Sequence, residues 1–282
     1  MKKLIMWTKV FKNICRYKRI EWIALKRLVC IACILALLPG CSKKTEEPYR
    51  WEGIDKESAS DSYIDFINLE KENEDIFGWI YVPEAGIDYP LVQSSEGDDE
   101  FYKTHNAGKN EDPKGAIYIE AANLNTMCDF NEVIHGSHPS DGTMFGNLDK
   151  FLDKEFFDET KYIYIYMNGN ALVYYVIGAY TRDNTRLLED YDFTYASGCQ
   201  GFIHELCDGR SMNKLIREGW EVGLVPENFL VTLTTVNPDD PDRQIAVVGC
   251  LVGDVAGKID RFVDYSDDED YNLDLEDVPT DG

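Results

Sequence analysis

The sequence predicts a mainly β domain with helical insertions, and three observations carry that prediction. Asn168-Gly169-Asn170 marks a tight hairpin turn, little helix separates most of the apolar runs, and 44% apolar with 12% aromatic residues suffices for a folded core. Eight short apolar runs have the length and composition of strands; they are residues 78–83, 89–93, 116–120, 132–135, 162–167, 172–181, 230–235 and 245–252. From these runs alone, a β-barrel and a β-sandwich are both open.

Three segments have helical patterns. Residues 60–76 space their apolar side chains for an amphipathic helix, with Ser60 or Asp61 as its cap. Residues 144–160 carry a stripe of phenylalanine and leucine and are predicted as one helix. Residues 193–220 are predicted as two helices that break near Asp208-Gly209.

The amino terminus has the pattern of a targeting segment. A basic stretch precedes the 11 apolar residues 28–38, which are too few for a membrane span of roughly 20 residues but suit a signal-peptide core. Leu38-Pro39-Gly40-Cys41 is similar to a bacterial lipobox, which predicts a lipoprotein-type signal peptide over residues 1–40 and lipidation of Cys41. The alternative is an uncleaved anchor; both place the folded part at the extracellular face of the cytoplasmic membrane, with residues 41–60 as a polar linker.

Charge is distributed unevenly along the chain. The formal net charge is −24, yet residues 1–41 hold nine bases and one acid, which leaves the remainder at −32. A body of this charge repels nucleic acid, which we exclude as a partner, and leaves the lipid anchor as the contact with the membrane. Residues 258–282 are rich in Asp and Glu and are predicted to be a disordered acidic tail.

Several segments between residues 61 and 255 resemble class B sortases. They are Gly78-Trp79-Ile80, Ile87-Asp88-Tyr89-Pro90-Leu91-Val92-Gln93, His135-Gly136-Ser137-His138, Asp141-Gly142-Thr143-Met144-Phe145 and Thr232-Leu233-Thr234-Thr235. The resemblance implies an eight-stranded sortase-type β-barrel with an N-terminal helix over residues 61–257. It also implies a Gram-positive cell envelope and a cysteine transpeptidase that cleaves a sorting-signal peptide and joins it to an amine.

Two of the three catalytic residues of that family are absent from this sequence. The family's histidine falls on Ser137 and its nucleophilic cysteine on Val236, and only the arginine, as Arg243, remains. The reaction needs a thiolate that attacks a carbonyl, a histidine that moves a proton and a donor to the oxyanion. We therefore expect an inactive, sortase-like surface lipoprotein with a binding or regulatory role, whose partner is a sorting-signal peptide or another sortase.

Two other interpretations stay open at this stage. One is an active transpeptidase with relocated groups, in which His138 acts as the substitute histidine and Cys128 or Cys250 as the thiol. The other is a structural scaffold whose acidic surface is the functional part. No cofactor is expected, and no metal site, because the four histidines lack the spacing of metal ligands.

Overall fold

A computed structural model of the protein describes residues 64–209 and 213–259. Within these ranges a single sheet contains nine strands. They are β1 (Ile76–Val82), β2 (Ile87–Val92), β3 (Ile117–Ile119), β4 (Asn131–His135), β5 (Tyr162–Met167), β6 (Asn170–Asp183), β7 (Leu215–Ile216), β8 (Leu230–Val236) and β9 (Arg243–Asp254).

Eight of these strands close into a barrel. The neighbour order is β5-β1-β2-β3-β4-β8-β9-β6, and the pairing of β5 with β6 joins the two ends of the sheet. The two-residue β7 adds to β6 outside this ring. The predicted fold class is thus confirmed, as is the hairpin, since Met167 pairs with Asn170 across Asn168 and Gly169.

The barrel forms because its strands alternate apolar side chains on the inward face. In β1 every second residue is buried, which is the period of a strand with one face in a core. Removing each large aliphatic side chain from water contributes about 1.5–3 kcal/mol. The barrel interior contains fully buried residues from most of the strands, among them Ile80, Val82, Ile87, Leu91, Ile163, Ile165, Leu172, Leu233 and Val247.

The described residues also contain five short α-helices and three 3₁₀ turns. The helices are α1 (Phe66–Glu72), α2 (Phe101–Thr104), α3 (Lys154–Glu159), α4 (Leu187–Asp190) and α5 (Ala196–Cys207), and the 3₁₀ turns are Pro83–Ala85, Leu148–Leu152 and Trp220–Val222. The first helix is shorter than predicted, because Asp65 caps it by accepting a hydrogen bond from the Asn68 amide. Ile76, the last residue of the predicted helix, begins β1 instead.

The prediction of a single helix over residues 144–160 is wrong. Met144 has a left-handed backbone conformation, with a φ of +52°. A right-handed helix cannot include a residue in this conformation. Asp153 is extended and caps α3 by accepting from the Phe156 amide, so it separates α3 from the preceding 3₁₀ turn. The apolar side chains of this segment still pack in the core, where Phe145 and Phe151 are fully buried.

The second of the two helices predicted over residues 193–220 is replaced by a strand and a turn. Leu215 and Ile216 pair with Ala179 and Gly178 of β6, and the backbone bonds made there compete with a helical path. Arg217 then donates to the carbonyls of Val176, Phe157 and Thr160, which fixes the segment against the barrel.

Some predictions fall outside the described residues. The signal peptide 1–40, Cys41, the linker 41–60 and nearly all of the acidic tail 258–282 lie there, as do the predicted caps Ser60 and Asp61. In the part of the chain that is described, no helix combines the length and apolar character needed to cross a membrane.

Gly115 sets the path of the segment that precedes β3. Its φ is +64°, and an added Cβ would lie 2.4 Å from the Tyr102 carbonyl oxygen. We expect Gly115→Ala to lower the free energy of unfolding by about 2–4 kcal/mol, because strain and a backbone clash add. Urea denaturation measures this effect.

The matched control for Gly115 is Gly97→Ala. Gly97 has a similar φ of +73°, but an added Cβ would meet no atom within 4 Å. Its cost should be only that of the left-handed backbone, about 1–2 kcal/mol. Equal losses for the two variants would contradict the clash at Gly115.

Candidate functional site: a groove at the ends of β4 and β8

The parallel pairing of β4 with β8 creates the site. His135 at the end of β4 pairs with Thr234 in β8, so the residues that follow in both strands emerge at the same edge of the barrel. A groove of about 340 Å³ lies there. Gly136 and Ser137 form one part of its lining, Thr235 and Val236 another, and residues 184–186 after β6 a third.

The structure brings Ser137 and Val236 into this groove. The Ser137 hydroxyl donates a 2.6 Å hydrogen bond to the Lys114 carbonyl oxygen. Val236 is the last residue of β8, and 46% of its surface is exposed. The groove thus presents an aliphatic side chain and a hydroxyl whose proton is already committed to the backbone.

Arg243, which the resemblance implied as the one retained catalytic residue, does not line the groove. Its guanidinium donates to the Asp183 carboxylate and, at 2.9 Å, to the Thr181 carbonyl oxygen. Successive residues of a strand point to opposite faces, and in β9 it is the next residue, Gln244, that pairs with Val236 and lines the groove.

Gln244 is therefore the groove residue that sequence reasoning missed on this strand. Its Oε1 accepts from the Thr234 hydroxyl at 2.6 Å. Its Nε2 donates to the carbonyl oxygens of Asp183 and Thr185, at 3.1 and 2.7 Å. Gln244 thereby connects the floor of the groove to the segment that follows β6.

The guanidinium that does line the groove belongs to Arg186. Its Nε donates to Glu120 Oε1 at 3.0 Å and its Nη2 to Asp99 Oδ2 at 2.6 Å. Burial raises the pKa of the Glu120 carboxyl, while the bond from Arg186 opposes that shift. The partners lie 66 and 87 positions away from Arg186, so no local pattern could have indicated this cluster.

His135 lies beside this cluster as a neutral imidazole. Its ring stacks on Tyr118 with centroids 5.1 Å apart, and its Nε2 is 3.4 Å from Glu120 Oε1. Burial, together with the charges of Lys103 and Arg186, lowers the pKa of His135 to about 4. At neutral pH it therefore carries no positive charge.

The depressed pKa of His135 predicts a pH-dependent stability. The unfolded chain takes up the His135 proton near pH 6.5 and the folded protein only near pH 4, so between these values the unfolded state binds more protons and stability rises with pH. We expect the free energy of unfolding to fall by up to about 2 kcal/mol between pH 7 and pH 5 from this residue. His135→Asn should reduce that loss in urea denaturation at the two pH values, and an unchanged pH dependence would contradict the assignment.

The groups invoked for a relocated active site are not gathered in the groove. His138 is nearly buried, with its Nε2 3.6 Å from Asp149, and does not line the groove. Cys250 is buried within β9, where desolvation raises the pKa of its thiol to about 12. Cys128 lies before β4, with its Sγ 3.4 Å from the Thr126 carbonyl oxygen. Among the described residues, no group of His, Cys, Asp and Glu is arranged to hold a metal ion.

Comparison with curated proteins finds similarity to two enzymes. The chain is 38% identical to sortase B of Listeria monocytogenes over 89 residues, which are 32% of this chain and 35% of that protein. It is 25% identical to sortase B of Staphylococcus aureus over 192 residues, 66% of this chain and 74% of that protein. The first match thus spans about a third of the Listeria protein. No family model matches the chain.

Solved structures give the same result at the level of the fold. Sortase B of Clostridium perfringens superimposes with a TM-score of 0.58 and 25% identity, covering 67% of this chain and all of that one. A Staphylococcus aureus sortase B–substrate complex superimposes with a TM-score of 0.57 and 24% identity, covering 66% and 84%.

Proposed function

We propose that this chain, which is similar in sequence and fold to sortase B proteins, is a sortase B-like surface protein whose groove binds a sorting-signal peptide without cleaving it. The observation that carries the proposal is the set of side chains at the centre of the groove: Ser137, Val236 and Gln244. None of the three can act as a thiolate nucleophile or move a proton near neutral pH.

The neighbouring groups do not supply the missing chemistry. His135 lines the groove, but its low pKa and its contact with Glu120 make it a poor proton donor at neutral pH. The Arg186 guanidinium is already bound by Glu120 and Asp99, so it offers little to a developing oxyanion. Hydrogen-bond donors alone leave about 10³-fold catalysis over water, well below the ~10⁶-fold of working enzymes.

Retention of a groove supports a binding role. One of the similar structures is a sortase B in complex with its substrate, and the groove of this chain lies where β4 and β8 end. Gln244 and Arg186 tie its walls together through contacts across the sequence. These ties keep the cavity open in the absence of a reaction, which is what a peptide-binding or regulatory protein at the cell envelope requires.

The location belongs to the same proposal. Cys41, at the end of the lipobox-like segment, is proposed to carry the lipid that anchors the domain to the outer face of the cytoplasmic membrane of a Gram-positive bacterium. Metabolic labelling with a fatty acid and its loss in Cys41→Ser would test the anchor. An unlabelled protein that is still retained at the membrane would favour the uncleaved anchor.

The deciding experiment combines mass spectrometry with peptide binding. The purified chain is incubated with sorting-signal peptides and an amine acceptor, and we expect intact peptides, no acyl adduct and retention of peptide on the protein. Cleaved or amine-joined peptide, or an adduct mapped to one residue, would overturn the assignment of inactivity.

A matched pair of variants locates the binding. Val236→Trp should fill the groove and abolish retention, whereas Val222→Trp, at a position 87% exposed and outside the groove, should leave it unchanged. Absence of retention in the unsubstituted protein would contradict the binding role and favour a scaffold.

A further inference from the structure

A second basin adjoins the groove on the far side of Lys114. Its volume is about 330 Å³, close to that of the groove, and its lining includes Tyr89, Pro90, Ile117 and Met144. The two cavities share Lys114 and Ala116 as lining residues. They are therefore neighbours along one side of the barrel, with a single lysine between them.

Lys114 is positioned as the divider by contacts on both sides. Its backbone carbonyl accepts from the Ser137 hydroxyl, which faces the groove. Its Nζ donates to Asp141 Oδ2 at 2.5 Å and to Thr143 Oγ1 at 3.0 Å, and Thr143 lines the basin. Because the Lys114–Asp141 pair is exposed on both sides, little free energy is needed to part it.

The wall of the basin is held in a fixed shape. The Met144 amide donates to the Tyr89 hydroxyl at 3.0 Å, and Met144 keeps a left-handed backbone although it is not glycine. Such a conformation persists only where the surroundings determine it, and it is found disproportionately at ligand clamps. Here it places an apolar side chain in the lining of the basin.

We infer that the groove and the basin form one binding surface, and that its ligand is an extended peptide that crosses Lys114 and places an apolar side chain in the basin. The inference rests on the proposed peptide-binding function and specifies the ligand further. The groove offers a polar contact through Ser137, whereas the basin offers mainly apolar ones. An extended chain advances about 3.3 Å per residue, so a few residues reach from one cavity to the next.

The test uses a series of fluorescein-labelled sorting-signal peptides in which one leucine is moved along an otherwise constant sequence. Fluorescence anisotropy gives the dissociation constant of each. Burying a leucine side chain should strengthen binding about tenfold or more at one position, relative to alanine there. Ala107→Phe, which narrows the basin, should abolish that gain.

Two further variants keep the result interpretable. Met144→Asn retains a residue type that tolerates the left-handed backbone and makes the basin wall polar, so it should also reduce the leucine gain. Ala122→Phe lies outside both cavities and should preserve it. Thermal unfolding of each variant shows whether it has folded.

The outcomes distinguish peptide binding by the groove from the placement of an apolar side chain in the basin. Binding of the peptides with no position that gains from leucine, or a gain that survives both Ala107→Phe and Met144→Asn, would overturn the basin while peptide binding stands. Failure of every peptide to bind would overturn the basin and the proposed function together.

Discussion

The triple variant Ser137→His, Val236→Cys, Gln244→Arg is expected to cleave sorting-signal peptides that the unsubstituted protein leaves intact. Each substitution adds one missing group to a residue that already lines the groove. The thiol is the nucleophile, the imidazole moves the proton, and the guanidinium donates to the oxyanion. Val236 is half exposed at the end of β8, so a thiol there can be reached by a peptide.

The arginine at position 244 should have a large influence on the rate at which the triple variant cleaves peptide. Removing one oxyanion donor typically costs about 10²–10³ in rate, so the double variant Ser137→His, Val236→Cys should be slower than the triple variant by that factor. Arginine can also keep the donors that Gln244 now offers to the Asp183 and Thr185 carbonyls. Peptide cleavage followed by mass spectrometry measures both rates.

The control for this prediction is Arg243→Ala in the background of the triple variant. Arg243 contacts Asp183 and Thr181 outside the groove, so its removal should leave the rate unchanged. If Arg243→Ala abolished the activity, or if the double variant were as fast as the triple one, Arg243 rather than Gln244 would hold the oxyanion position.

The strands could be predicted because their signals are local, whereas the meeting of Ser137 with Val236 was implied by the resemblance to class B sortases. A short apolar run predicts a strand without reference to distant parts of the chain, as in β1. The motifs around positions 137 and 236 each end a strand, and parallel pairing of β4 with β8 then places them together.

The choice between Arg243 and Gln244 could not be made from sequence. A shift of one residue in register moves every side chain of a strand to the other face, and the register of β9 is set by the turn of residues 237–242 and by pairing with β6. The Arg186–Glu120 contact could not be predicted for a related reason, since it joins positions 66 residues apart. Neither feature leaves a periodic signal.

Glu205→Ala is expected to lower the free energy of unfolding strongly, because Glu205 is a carboxylate partner of a buried arginine. Glu205, in α5, accepts from Arg182 Nε at 2.8 Å and from the hydroxyls of Tyr180 and Tyr191, at 2.8 and 2.6 Å. Arg182 is 6% exposed, so loss of Glu205 leaves a buried guanidinium whose one remaining charged partner among the described residues is Asp190. Breaking a buried pair in this way costs about 3–5 kcal/mol.

The effect of Glu205→Ala should also reach the groove, because Arg182 donates to the Thr185 carbonyl and so holds the segment that carries Arg186. We therefore expect peptide affinity to fall together with the free energy of unfolding measured in urea. Asp158→Ala is the matched control: it breaks an exposed pair with Lys154, which should cost under about 0.5 kcal/mol and leave binding unchanged. Equal costs for the two variants would show that Arg182 finds solvent or another partner, and the network would then contribute little to the shape of the groove.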